Sequence, residues 1–122
     1  MVVNLAIPFY NRSVMTFTLA IESSCDETAV AIIQDETTIK SSLIASQIST
    51  HRHYGGVVPE VASRLHAETI HLLLSKALNE AAISLSDLNQ IAVTIGPGLE
   101  GCLLVGINVA KTLATLLAIP LI

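Results

Sequence analysis

Tryptophan is absent, and two Phe and two Tyr bring the aromatic share to only 3% of the 122 residues. A core of stacked aromatic rings is thereby excluded, and Val, Ile, Leu and Ala must fill the interior, as in sheets covered by helices. Charge is scarce as well, at 13% of residues against 52% hydrophobic, the reverse of the composition of disordered chains. Six basic residues face ten acidic ones for a formal charge of −4, so no basic face is available to bind nucleic acid unaided. Cysteine occurs twice, at Cys25 and Cys102, in no Cys-x-x-Cys spacing and with no secretory signal. These terms favour a reducing compartment over a disulfide framework, and a cytoplasmic location is expected. Residues 99–122 come nearest to a membrane span, but Glu100, Asn108, Lys111 and Pro120 interrupt them, and charges within lipid are costly. A buried helix, and no membrane contact, is the expectation.

What is present reads as one α/β domain of a size able to bury a core. Residues 1–15 are apolar but broken by Pro8 and without a basic leading segment or cleavage site. They read as a leader or a misassigned start, with a transit peptide left open. Residues 16–21 and 29–34 are β-branched runs on either side of the polar stretch 22–28, and a third strand follows the turn Asp35-Glu36-Thr37, from Ile39 to about Ser46. The segment 49–58 reads as a loop closed by Pro59, which suits the first turn of a helix running to about Ala82. Along that helix Glu60, Arg64, Glu68, His71, Ser75 and Asn79 recur as one polar stripe. A capped turn at 84–88, a strand at 91–95, a glycine-rich loop at 96–101 and a second helix to about Leu117 complete the pattern, and Pro120-Leu121-Ile122 reads as the beginning of a fifth strand.

Three segments carry possible chemistry. The polar connection Ser23-Ser24-Cys25-Asp26-Glu27-Thr28 suits an anion or a metal, and equally a plain hairpin turn whose side chains bond their own backbone. Cys25 lacks a neighbouring base in sequence and reads as structural rather than nucleophilic. Gly96-Pro97-Gly98-Leu99-Glu100-Gly101 between strand and helix has the layout of an anion site, without the Lys of a phosphate loop, and is equally a close-packed turn; Glu100 weighs against a simple anion cradle. His66 and His71 lie about 140° apart around a helix and cannot form a zinc pair. His51 and His53 flank Arg52 and read as a solvated pair, so no metal site is expected on this chain. Glu60, Arg64 and Glu68 are spaced for successive helical ion pairs.

Taken together, Ala20 to Thr28, Tyr54-Gly55-Gly56-Val57-Val58-Pro59-Glu60-Val61-Ala62-Ser63-Arg64 and Gly96-Pro97-Gly98-Leu99 resemble the tRNA N6-adenosine threonylcarbamoyltransferase family, once described as O-sialoglycoprotein endopeptidases. The resemblance covers residues 16–122. It implies an actin-like ATPase (ribonuclease-H-like) lobe, a mixed sheet in the order β-β-β-α-β-α with the fifth strand truncated. It further implies transfer of a threonylcarbamoyl group from threonylcarbamoyl-AMP to the N6 amine of the adenosine beside the tRNA anticodon. Matching positions give Asp26 and Glu27 as catalytic and Ser24, Cys25, His51, Tyr54, Gly55, Glu60, Arg64, Gly96, Pro97 and Gly98 as substrate-binding. The family's divalent metal, iron or zinc, is held by a His-x-x-x-His pair expected after Ile122 and a distant Asp. The isolated chain is therefore expected to bind no catalytic metal and to be inactive. Ser23 stands where the family usually has Thr, and Glu100 where it is usually apolar. Partners implied are tRNA, a smaller paralogue of the same fold and a small ATPase subunit.

The second helix has its own claim on a partner, since its apolar residues from Cys102 to Leu117 leave only a strip at Asn108, Lys111, Thr112 and Thr115. Rival readings are a sugar- or acetate-kinase-like phosphotransferase, a non-catalytic scaffold of the paralogue type, and, weakest, a protease.

Overall fold

The computed structural model describes residues 14–122. The expected leader at 1–15 lies outside the described residues apart from Val14 and Met15, both of which are exposed. Strands β1 (Phe17–Glu22), β2 (Glu27–Gln34) and β3 (Thr38–Ser46) form an antiparallel meander, and β4 (Gln90–Val93) joins β1 in parallel. The sheet order is β3-β2-β1-β4. Two helices follow the expected periodicity, α2 (Pro59–Ala81) and α3 (Glu100–Leu117), with Pro59 opening the first.

Alternation along the strands sorts large from small side chains. Val30, Ile21 and Val93, and likewise Ile32, Leu19 and Ile91, are aligned across β2, β1 and β4. They pack with Ile70, Ala77, Leu78 and Ala81 of α2 and Ala110 and Ala114 of α3 in one core. The other face carries the row Ser42, Ala31, Ala20 and Ala92, which lines an open trough of about 470 Å³. The polar stripe of α2 is exposed at every position from Glu60 to Asn79, as its spacing requires. Residues 120–122 pair with β4 through a parallel bridge from Ile91 to Leu121, the expected start of a fifth strand.

The chain reverses between β2 and β3 on Asp35 and Glu36, both at positive φ, closed by Thr37 N–H donating to Gln34. The Thr16 N–H bonds Asp35 and holds its carboxyl below the usual carboxylate range. Both long helices end with an alanine in the left-handed region, Ala82 and Ala118. The following Ile83 and Ile119 donate back to Leu78 and Ala114 and pack their half-buried side chains against the core, as in a Schellman motif. A turn of 3-10 helix, Leu85–Asp87, is closed by a capping box between Ser84 and Asp87.

Two expectations fail. The segment 49–58 is not all loop, because residues Ile48–Arg52 form a short helix, α1, ahead of the turn. The Glu60, Arg64 and Glu68 ion pairs do not close either, and Lys76–Glu80 is the ion pair found among the described residues. Exposed long side chains gain too little in water to be held in one geometry.

Candidate functional site

Parallel pairing of β1 and β4 makes both strands end at one edge of the sheet, with Ile21 beside Val93. Antiparallel pairing brings the end of β3 to the same edge, where Ser46 faces Glu27. The connections after β1, β3 and β4 must therefore meet there, as loops do at the carboxyl edge of open sheets. They do meet. Leu99 N–H donates to the Ser24 carbonyl at 2.8 Å, and Gly98 lies so close to this turn that a Cβ would come within 2.6 Å of the same oxygen. Here glycine is needed for approach rather than for φ.

The β1–β2 turn is tied at each residue. Ser23 donates its hydroxyl to the Cys102 carbonyl at 2.7 Å and accepts the Gly106 N–H at 3.1 Å, bridging one turn of α3. Glu22 accepts the Ser24 N–H through its carboxylate. His66 of α2, fully buried, bonds the Cys25 carbonyl with Nε2 at 2.9 Å and the Thr28 hydroxyl with Nδ1 at 2.7 Å. Gln47 N–H donates to the Asp26 carbonyl at 3.0 Å. The N–H groups of Cys25 and Asp26 have no acceptor among the described residues, which leaves two backbone donors for an anion.

Asp26 lines a pocket of about 350 Å³ with Ile48, His51, Arg52, Gly55, Gly56 and Val57. His51 is not the solvated residue expected. It is 3% exposed, with Nε2 at 2.7 Å from the Gln47 side-chain oxygen and Nδ1 accepting the Val58 N–H at 3.3 Å. An amide oxygen only accepts, so Nε2 carries the proton. Spacing of i,i+4 across α1 makes this possible, and burial follows because Gln47 in turn donates to the Ala62 carbonyl of α2 at 3.2 Å. His53 is exposed, as expected, and bonds the Ser49 carbonyl.

Of the residues expected from sequence, Ser24, Cys25, Asp26, Gly98, His51 and Gly55 are gathered around this edge. Gly96 and Pro97 belong to the same loop, joined by a cis peptide bond. Glu27 is exposed at the start of β2. Tyr54 is 62% exposed and lines a separate hollow with Ser49, Thr50 and His53, outside the Asp26 pocket. Glu60 and Arg64 are exposed on α2 and line neither hollow, and Glu100 is the exposed first residue of α3. Sequence reasoning missed Gln47, Arg52 and His66 as parts of the site. The signal for His66 was its place between Ala62 and Ile70 on the buried stripe of α2, where a lone histidine must find partners.

Burial, then the charge and hydrogen bond of Asp26, then the charge of Glu22, push the Cys25 thiol up from its ordinary range. It is a poor nucleophile at neutral pH. Burial likewise raises Cys102. Among the described residues no group of three or more His, Cys, Asp or Glu side chains converges to hold a metal. The divalent ion implied by the sequence resemblance does not fit residues 14–122. The edge offers free backbone donors, a carboxylate and a pocket lined by glycine backbone. That set can bind an anionic group and present an acid beside it.

A family model described as tRNA N6-adenosine threonylcarbamoyltransferase matches residues 38–122. A protein of that name from Geotalea uraniireducens is 58% identical over 103 residues, covering 84% of this chain and 30% of the relative. Another from Streptococcus pyogenes is 57% identical over 106 residues, covering 87% of this chain and 31% of the relative. This chain thus spans about 30% of the length of the curated relatives it matches. Among solved structures, YeaZ from Pseudomonas aeruginosa superposes with a TM-score of 0.65 at 26% identity, covering 88% of this chain and 42% of that one. The fold is the actin-like one expected, and sequence identity is much higher to the transferases than to YeaZ.

Proposed function

We propose a function on one premise: the chain belongs to the tRNA N6-adenosine threonylcarbamoyltransferase family. Residues 16–122 form part of the N-terminal actin-like lobe of an enzyme that moves a threonylcarbamoyl group from threonylcarbamoyl-AMP to the N6 amine of the adenosine beside the tRNA anticodon. The observation that carries this reading is the 2.8 Å bond from Leu99 N–H to the Ser24 carbonyl. It joins the β1–β2 turn and the Gly96-Pro97-Gly98 loop into one wall, which an adenylate bridging both segments requires.

Acyl transfer to a weak amine depends on holding the amine and the activated carbonyl together and on stabilising charge at the departing phosphate. The free N–H groups of Cys25 and Asp26, with Ser24, serve the phosphate side. Asp26 at the pocket rim takes the amine proton, and Glu27 assists it from the start of β2. His51 and Gly55 shape the pocket. Tyr54, Glu60 and Arg64 contact substrate only in the complete enzyme, since they stand outside the pocket here. The metal, iron or zinc, is supplied by segments beyond the described residues. With a formal charge of −4, this chain leaves attraction of tRNA to other parts and to its partners, a smaller paralogue of the same fold and a small ATPase in the cytoplasm. The exposed Leu104 and Leu116 of α3, 47% and 76% accessible, suit docking of the paralogue.

The test joins residues 14–122 to the remainder of the Geotalea relative and expresses the hybrid in bacteria depleted of their own enzyme. Mass spectrometry of tRNA nucleosides should detect threonylcarbamoyladenosine, and Asp26→Ala in the hybrid should reduce it at least tenfold. A soluble, folded hybrid that leaves tRNA unmodified would refute the reading.

A further inference from the structure

Among the described residues His66 is the largest polar side chain that is fully buried, at 0% exposure, and it lines none of the three hollows described above. Its two bonds run in different directions. Nε2 meets the Cys25 carbonyl at 2.9 Å, in the turn, and Nδ1 meets the Thr28 hydroxyl at 2.7 Å, in β2. A carbonyl only accepts, so Nε2 carries hydrogen, and the neutral ring leaves Nδ1 to accept from Thr28. No rotatable hydroxyl or ammonium would supply a donor and an acceptor this far apart on one rigid plane. The other ties of the turn come from backbone N–H groups of Leu99 and Gln47, from Ser23 and from Glu22 in β1 itself. Among the described residues, His66 is the one side chain of α2 that hydrogen-bonds the turn.

We propose that His66 is a positioning residue, which clamps the Cys25 carbonyl from inside the core so that the N–H groups of Cys25 and Asp26 and the Asp26 carboxylate hold one arrangement at the pocket rim. The inference rests on the reading of this turn as the adenylate site. A buried ring suits the task because it has few conformations to lose. Displacing the turn by about 1 Å is enough to cost on the order of 10²-fold in turnover.

Two substitutions separate clamping from plain packing. In His66→Gln the side-chain amide nitrogen reaches the position of Nε2 and can still donate to Cys25. In His66→Asn the shorter amide reaches only the position of Nδ1, near Thr28. In the hybrid enzyme His66→Gln should keep turnover within about threefold, while folded His66→Asn should lose roughly 10²-fold, chiefly in kcat. Equal turnover in both variants, whether high or low, would overturn the proposal. A second readout needs no activity: in the 122-residue chain, amide exchange and backbone chemical shifts at residues 23–27 should change in His66→Asn and stay near wild type in His66→Gln. Should the unmutated hybrid be inactive, the functional reading fails alone, and this exchange pattern decides the clamp. Shifts spread evenly over α2 and the sheet, or absent from the turn, would refute it.

Discussion

The two segments that wall the Asp26 pocket are built on opposite plans. The β1–β2 turn is held from α2, α3, the loop after β4 and the residue before α1, so its backbone has nowhere to go. The loop from His53 to Val57 is exposed throughout. Its backbone bonds are local, from His53, Tyr54, Gly55 and Gly56 to carbonyls of residues 50–52. Buried His51 is its one firm anchor. A pocket with one fixed and one yielding wall can grip a small charged group against the first and adapt the second to a larger substrate.

The strongest way to break this contrast is to push on the fixed wall. Gly98→Ala drives a methyl into the Ser24 backbone, which cannot swing aside, and should cost about 3 kcal/mol. Thermal or urea unfolding of the chain would measure it, and a loss under 1 kcal/mol would mean that the wall yields. Next comes Gly106→Ala, whose Cβ would lie 2.7 Å from the Ser23 hydroxyl and 3.2 Å from Ile21. About 2 kcal/mol is expected, of which Ser23→Ala should restore roughly half, because Cys102 and Gly106 then satisfy each other within α3. Additive losses in that double-mutant cycle would remove Ser23 from the list of ties. The smallest effect belongs to the yielding wall. Gly55 has a φ of 79° and open space around it, so Gly55→Ala should cost only about 1 kcal/mol of backbone strain. A larger loss would place the loop with the fixed wall.

The sequence made the regular elements legible because their periodicities are local: β-branched alternation for β1 to β3 and the polar stripe of α2. Short α1 escaped notice, since five residues give no period and Gly55 and Gly56 suggested loop throughout. His51 was misjudged for the same reason. Its burial depends on Gln47, which reaches across to Ala62 of α2, and nothing in the neighbouring residues announces that contact. The ties of the turn were hidden by distance along the chain, 38 residues from Thr28 to His66 and 79 from Ser23 to Cys102. The expected ion pairs of α2 failed differently, because spacing permits a pair that water does not reward. The family resemblance named several residues of this edge, but only the fold separates Tyr54, Glu60 and Arg64 from the Asp26 pocket.

Left-handed backbone is divided between the two ends of the sheet. At the end that carries the Asp26 pocket it falls on glycine, at Gly55, whereas Asp35, Glu36, Ala82 and Ala118 adopt it at the far end. The far-end residues carry a side chain where none is wanted sterically. Robustness and the candidate site can therefore be altered by separate sets of mutations: a breeder of hardier variants could work at those four joints without disturbing the Asp26 pocket.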